Sequence, residues 1–356
     1  MKILITGGAG FIGSHAAEFW AMRGHDVVVL DNLTRSALLG MPEESTEHNW
    51  RYLSQCTGVR LIQGDVRSAE DVRRALSDGV DAILHAAGQT SIRFSLEHPE
   101  EDFAINALGT LRVLELARQH CPNVTFLYCS TNKVYGTHAN RAALSEQATR
   151  YAYRDGYEGI AETNSVDLVG HTPYGVSKLT GDLYVQDYAH TYGLRTAVFR
   201  MSCIYGPRQF GVEDQGWVTH FTRSTLLDRT LTIYGDGKQV RDVLYIDDLI
   251  QAFDRFIRSG LRHGVFNIGG GISQSVSLLE LLDLLQGITG KRSPVTYQNW
   301  RPSDQRVYIS DLSHIQRALQ WQPHVKVTEG VARLLQWVEQ HRDLFHSDTL
   351  ESSRLI

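Results

Sequence analysis

The chain has 356 residues, 42% of them hydrophobic and 21% charged, enough apolar material for a large core shared between two closely associated domains. A formal net charge of -5 without any Lys/Arg-rich run argues against nucleic acid as a partner, and no apolar run is long enough to span a bilayer. The four cysteines, Cys56, Cys121, Cys129 and Cys203, form no close metal-type pairs and read as reduced thiols; with no room before Ile3 for a signal peptide, a cytoplasmic protein without a metal is expected.

Short β-branched or aliphatic runs at Lys2–Thr6, Asp26–Leu30, Arg60–Gln63, Ala82–His85, Thr125–Cys129 and Arg195–Arg200 read as strands. Between them Ile12, Ala16 and Phe19 share one helical face, and Ala104, Leu108 and Leu111 begin a longer one that ends near His120. This alternation predicts an α/β fold, a Rossmann-like doubly wound parallel sheet with a smaller C-terminal substrate-binding lobe. Residues 137–172 break the rhythm with a polar, Tyr- and Glu-rich insertion that should lie over the active centre. After Gly206-Pro207 the pattern is mixed, with a turn at Gly235-Asp236-Gly237 and strands at Val243–Ile246 and Val265–Ile268 that are expected to rejoin the sheet. The resulting division is 1–203 with 242–269 for the dinucleotide domain and 204–241 with 270–345 for the substrate lobe, followed by a frayed polar tail at 346–356.

The first turn carries Gly7-Gly8-Ala9-Gly10-Phe11-Ile12-Gly13 between a strand and a helix, so backbone amides and the helix N-terminus can meet a pyrophosphate. Asp31, at the end of the second strand, can accept hydrogen bonds from the adenosine ribose and would repel a 2′-phosphate, which favours NAD over NADP. Arg35 lies near enough to pair with a phosphate and leaves that preference open. Asp65-Val66 and Ala86-Ala87-Gly88 follow the third and fourth strands, where a doubly wound sheet presents loops to its ligand.

Tyr174 and Lys178 are four residues apart and would emerge on one face of a helix that starts at Thr172-Pro173. Bringing a tyrosine from its usual value near 10 to about 7 takes roughly 4 kcal/mol, a joint task for Lys178, the helix dipole and a positive nicotinamide ring. Tyr174 is then a general base. Thr131, at the carboxyl edge of the fifth strand, can hydrogen-bond the reacting oxygen.

Together these motifs resemble the extended short-chain dehydrogenase/reductases, in their NAD-dependent nucleotide-sugar epimerase/dehydratase branch, from Met1 to about residue 340. The resemblance implies that Gly7, Gly10, Gly13, Asp31, Asp65, Asn106, Tyr174 and Lys178 serve NAD and that Thr131 and Tyr174 address a sugar hydroxyl. Asn32 and Met201 complete the candidate cofactor set. Dehydratases of this branch carry an Asp-Glu pair where this chain has Asn132-Lys133, so dehydration would lack its proton-transfer groups.

The stretches Ser130–Gly136, Gly88-Gln89, Tyr205–Phe210, Asp214–Val218 and Gly237–Asp242 are similar to the 2-epimerases of CDP-paratose and CDP-tyvelose, which implies inversion at C2 of a CDP-hexose through a transient 2-keto sugar. Departures lie mainly in 153–172 and at Val176, and they leave the particular hexose open. The resemblance assigns Gln89, Thr131, Asn132, Lys133, Tyr174 and Ser202 to the substrate, Arg241 and Arg301 to its pyrophosphate, and Gln209 with 214–218 to a cytosine. Cys203 replaces a polar residue of many relatives. UDP, dTDP or GDP donors, inversion at C4, and an NAD-binding sensor or scaffold without turnover are the alternatives. Helices at about 100–120 and 174–192 would pair subunits into a homodimer or homotetramer.

Overall fold

The computed structural model describes residues 1–39, 44–154, 156–301 and 304–345; the expected polar tail lies outside them. Seven strands form the central sheet: β1 (Lys2–Thr6), β2 (Asp26–Asp31), β3 (Val59–Gln63), β4 (Ala82–His85), β5 (Thr125–Thr131), β6 (Arg195–Met201) and β7 (His263–Ile268). All neighbours are parallel, and the order is β7-β6-β5-β4-β1-β2-β3. The order reverses between β1 and β4, which opens a crevice at the carboxyl ends of those strands.

The strands are apolar throughout because helices cover both faces. Ile3, Ile5, Val27, Val29, Leu127 and Phe199 point into one core, and Leu4, Val28, Leu30, Phe126 and Val198 into the other, with the period of two that a pleated strand imposes. All seven residues of β5 are buried, which fixes the position of Ser130 and Thr131 at its end.

One expectation fails. The strand expected at Val243–Ile246 does not rejoin this sheet. Val240–Tyr245 instead pairs in parallel with Cys203–Tyr205 and Val307–Tyr308 and antiparallel with Ser275–Ser277, forming a second sheet. Its burial on both sides looks like a central-sheet strand in sequence, but the partners come from distant segments of the chain. Only β7 returns, pairing with β6 from His263↔Thr196 to Ile268↔Met201.

The 137–172 insertion runs between the end of β5 and the second sheet. It contains a small hairpin, Leu144–Glu146 with Tyr151–Tyr153. Tyr153 donates to the Val307 carbonyl, the Ile160 amide to the Ile309 carbonyl, and the Thr137 amide to the Gly170 carbonyl.

Candidate active site

A groove follows the crevice. Gly7, Gly10, Phe11, Ile12 and Gly13 line it, as do Asp31, Asn32 and Arg35, Asp65 and Val66, and Ala86, Ala87, Gly88 and Gln89. Its floor needs glycine for steric reasons. Gly7 has φ +70, and a Cβ there would lie 2.5 Å from the Ala87 nitrogen; a Cβ on Gly13 would lie 2.3 Å from the Gly7 carbonyl oxygen. Such a cradle, opening on the N-terminus of the Phe11–Ala21 helix, fits a dinucleotide pyrophosphate.

Asp31 is fixed by two amides: Ala9 N–H donates to Oδ2 at 2.9 Å and Leu33 N–H to Oδ1 at 2.8 Å. Burial raises its pKa against those bonds. Burial also works to raise Asp65, but hydrogen bonds from Arg67 and Asn32 hold that carboxyl below its usual range. Arg35 reaches across the groove and donates to the Phe210 carbonyl and to Gln215 Oε1, each at 3.1 Å. Gln215 thereby lines the groove from the substrate side, although its sequence stretch had suggested only a base contact.

Asn106, Thr131, Tyr174, Lys178 and Met201 stand beyond those walls. Gly88 connects the two groups: a Cβ on it would lie 2.9 Å from Asn106 Oδ1 and 3.7 Å from Lys178 Nζ. Asn106 sits in a π-turn, Ala104–Leu108, where it accepts from the Gln89 amide at 2.9 Å and donates to the Gln89 carbonyl at 3.0 Å. The Pro173–Tyr192 helix begins as its sequence predicts, with Thr172 Oγ1 accepting from the Gly175 amide and Pro173 in the first turn. Tyr174 and Lys178 are buried on its inner face, and Lys178 Nζ stands 4.3 Å from the centre of the Tyr128 ring. Thr131 pairs in register with Met201 across β5 and β6.

The ionisation expected of Tyr174 is not present in the protein alone. Burial pushes the phenol up to about 12, outweighing the adjacent Thr131 hydroxyl, and burial pushes Lys178 down to about 8. Lys178 and the helix terminus do not repay the desolvation of a phenolate. The lowering expected of Tyr174 also counted on a positive nicotinamide ring.

On the substrate side, several expected ligands are held by protein partners. The Gln89 side chain donates to the Ser91 carbonyl and to Asp102, each at 2.8 Å. Ser202 donates to the Asp242 carbonyl at 3.0 Å. Gln209 is buried, donating to the Ile204 carbonyl and accepting from Thr219. Arg241 pairs with Asp304 at 2.7 Å, and Arg301 pairs with Asp214 at 2.9 Å while lying 4.0 Å over the Tyr234 ring. Lys133 donates to Gln305 at 3.4 Å, and the Asn132 amide oxygen accepts from Thr131. Asp102, not anticipated from sequence, joins Gln89 to Asn106.

Comparison with known proteins decides the family. The NAD dependent epimerase/dehydratase family profile matches residues 3–269. The chain belongs to this family. It is 40% identical over 345 residues to the CDP-paratose 2-epimerase of Salmonella typhi, covering 95% of this chain and 99% of that protein. It is 30% identical to the dTDP-glucose 4,6-dehydratase of Salmonella typhimurium, covering 95% of this chain and 92% of that one. The crystal structure of UDP-glucuronic acid 4-epimerase from Bacillus cereus in complex with UDP-glucuronic acid and NAD superposes with a TM-score of 0.80 at 27% identity, covering 96% of this chain and 99% of that chain. This NAD-dependent family member therefore combines the fold, the groove and the Tyr/Lys pair that its sequence motifs imply.

Proposed function

We propose that the chain inverts C2 of a CDP-linked hexose, of the paratose/tyvelose type, through a 2-keto sugar. The observation that carries the reading is the Thr131, Tyr174 and Lys178 set at the end of β5, within a chain 40% identical over 95% of its length to a CDP-paratose 2-epimerase. Asn132 and Lys133 beside Thr131 supply no carboxylate, which disfavours the dehydratase chemistry of the 30% relative.

NAD, when bound along the glycine cradle and Asp31, supplies a reversible hydride acceptor. Thr131 orients the C2 hydroxyl, and Tyr174, as phenolate, takes its proton while the C2–H bond breaks. Lys178 stabilises that phenolate and binds the nicotinamide ribose. The ketone then presents its other face, Tyr174 returns the proton to the oxygen, and C2–H re-forms with inverted configuration. Arg241 and Arg301 exchange their carboxylate partners for the substrate pyrophosphate, an exchange suited to bidentate guanidinium groups. A cytoplasmic location is part of this reading, and the exposed apolar residues Phe103, Leu108, Val176 and Leu183 on the two long helical segments suit a homo-oligomeric contact.

The test is proton NMR of purified protein with CDP-paratose, CDP-glucose and UDP-glucose and no added cofactor, with Tyr174→Phe as control. Inversion at C2 of a CDP sugar that Tyr174→Phe abolishes is expected. Inversion at C4 would transfer the chain to the 4-epimerases, and no turnover of any donor would favour a binding-only protein.

A further inference from the structure

The last rung between the two strands that flank the crevice is polar. Thr6 of β1 and His85 of β4 pair in register one residue before Gly7 and Ala86 begin the groove, and both are fully buried. Thr6 Oγ1 lies 2.6 Å from His85 Nδ1, and Thr110 Oγ1 lies 3.0 Å from His85 Nε2. The donors available assign the protons. Thr110 gives its one hydroxyl proton to the Asn106 carbonyl at 2.6 Å, so it accepts from His85 Nε2–H, and Nδ1 is left to accept from the Thr6 hydroxyl. Thr6 Oγ1 itself accepts from the Ala87 amide at 3.4 Å, the nitrogen that a Cβ on Gly7 would strike. One run of hydrogen bonds therefore crosses from the wall of the glycine cradle to the π-turn that carries Asn106. From there Asn106 donates to Ser177 Oγ at 3.2 Å, between Tyr174 and Lys178 on their helix. The His85 ring also stacks on Tyr128, with centroids 5.8 Å apart and planes at 20°, the same ring that the Lys178 ammonium approaches.

We propose that His85, neutral and protonated on Nε2, is a positioning residue for the reaction: through Thr6 and Thr110 it sets the spacing between the cofactor cradle and the Asn106–Lys178 side of the site. Packing alone needs no nitrogen there. A phenylalanine would fill the space, but it would strand the Thr6 hydroxyl and leave Thr110 without its donor. A second proton on the ring would point a donor at Thr6, reverse that bond and set a cation behind Lys178. Burial, with Lys178 adding to it, holds the imidazole down to about 3 and keeps the Nδ1 lone pair free to accept at neutral pH. Thr6 leads directly into Gly7, and Thr110 closes the turn of Asn106, so a shift at His85 moves the cofactor against the helix that carries the base.

Two measurements on NAD-loaded protein test this. Long-range proton–nitrogen NMR of histidine-labelled protein, with His85→Phe identifying the signal among 15 histidines, should find a neutral Nε2–H ring that does not titrate between about pH 5 and about pH 8. An Nδ1–H ring, or titration in that range, would overturn the proposal. Steady-state kinetics then compares His85→Phe and Thr110→Val, which keep the shapes and lose the bonds, with Thr110→Ser, which keeps the hydroxyl. At matched NAD occupancy and native circular dichroism, kcat should fall about 100-fold in the first two with KM within about twofold, and Thr110→Ser should stay within about threefold of the unsubstituted protein. A nearly undiminished kcat in folded Thr110→Val, or equal losses in Thr110→Val and Thr110→Ser, would reduce His85 to a packing residue. The inference rests on Tyr174 and Lys178 acting on the sugar, yet the NMR measurement uses no sugar: an unsubstituted protein that turns over no donor indicts that reading, and an active one with indifferent variants indicts His85.

Discussion

The ion pair that anchors the Pro173–Tyr192 helix offers the sharpest stability test. Asp182 is fully buried on that helix and takes a two-pronged contact from Arg200 of β6, Nε to Oδ2 at 3.0 Å and Nη2 to Oδ1 at 3.1 Å. Ser130, next to Thr131, donates to the same carboxylate at 2.7 Å. Arg200 Nη1 donates to the Tyr135 hydroxyl, which in turn donates a hydrogen bond to Asn267 Oδ1 at 2.7 Å. Asp182→Asn leaves this shape nearly intact but strands a buried guanidinium. Removing one partner of such a pair costs about 3–5 kcal/mol, far more than losing an exposed one. For 356 residues the unfolding entropy is about 0.75 kcal/mol per kelvin, so Tm should fall by about 4–7 °C. Asp182→Leu with Arg200→Met removes both charges and should recover most of the loss. Urea and thermal denaturation of NAD-free protein measure all three. A loss below about 1 kcal/mol in Asp182→Asn, or a double variant no better than the single, would refute the charge argument.

Two further outcomes follow from the groove and the surface. Gly7→Ala forces a side chain at φ +70 against Ala87, and calorimetry should find NAD affinity about 100-fold weaker, or roughly 2.7 kcal/mol, in a folded protein; undiminished affinity would mean that the cradle does not hold the cofactor. If the chain self-associates as proposed, Leu183, half exposed with Tyr184 and Val176 on the Pro173–Tyr192 helix, should be central to the contact. Leu183→Glu is expected to lower the sedimentation coefficient to that of the monomer, and an unchanged coefficient would place the contact elsewhere.

The parts legible in sequence are those set by local stereochemistry. Gly7 and Gly13 announce themselves because no other residue can approach Ala87 and the Gly7 carbonyl so closely, and the i, i+4 spacing of Tyr174 and Lys178 fixes their common face once Thr172-Pro173 starts the helix. What depends on distant partners was illegible. The apolar spacing of Ala104, Leu108 and Leu111 is compatible with an ordinary helix, and nothing in it reveals the π-turn that aims Asn106 at Gln89. The apolar strand Val240–Tyr245 carries no mark that its partners are Cys203–Tyr205, Ser275–Ser277 and Val307–Tyr308. Gln89, Ser202 and Gln209 are polar residues near a site, but their hydrogen bonds are decided by Asp102, Asp242 and Thr219. Burial keeps Tyr174 high in the protein alone, a property of the packed core that the Tyr-x-x-x-Lys pattern does not display, whereas the expected lowering also counted on a positive nicotinamide ring.

The same desolvation makes Lys178 a stability liability with a definite pH signature. Burial lowers its pKa from 10.5 to about 8, so between those values the unfolded chain binds more protons than the folded one. Stability from this group therefore rises with pH across that window, and below pH 8 the buried ammonium costs about 3 kcal/mol. Its position 4.3 Å over the Tyr128 ring returns up to about 2 kcal/mol. Lys178→Met, which fills the same space without charge, should accordingly stabilise the NAD-free protein by about 1–2 kcal/mol at pH 7 while abolishing turnover. The advantage should shrink as pH rises from 8 toward 10.5, because the wild-type lysine then sheds its proton and its penalty, whereas methionine has none to shed. Paired urea melts at pH 7 and pH 10 decide the matter. A Lys178→Met protein less stable than wild type at pH 7, or a gap that does not change with pH, would show that the lysine is retained for packing. The expected pattern would instead show that the fold tolerates an unfavourable cation where a phenolate must later be held.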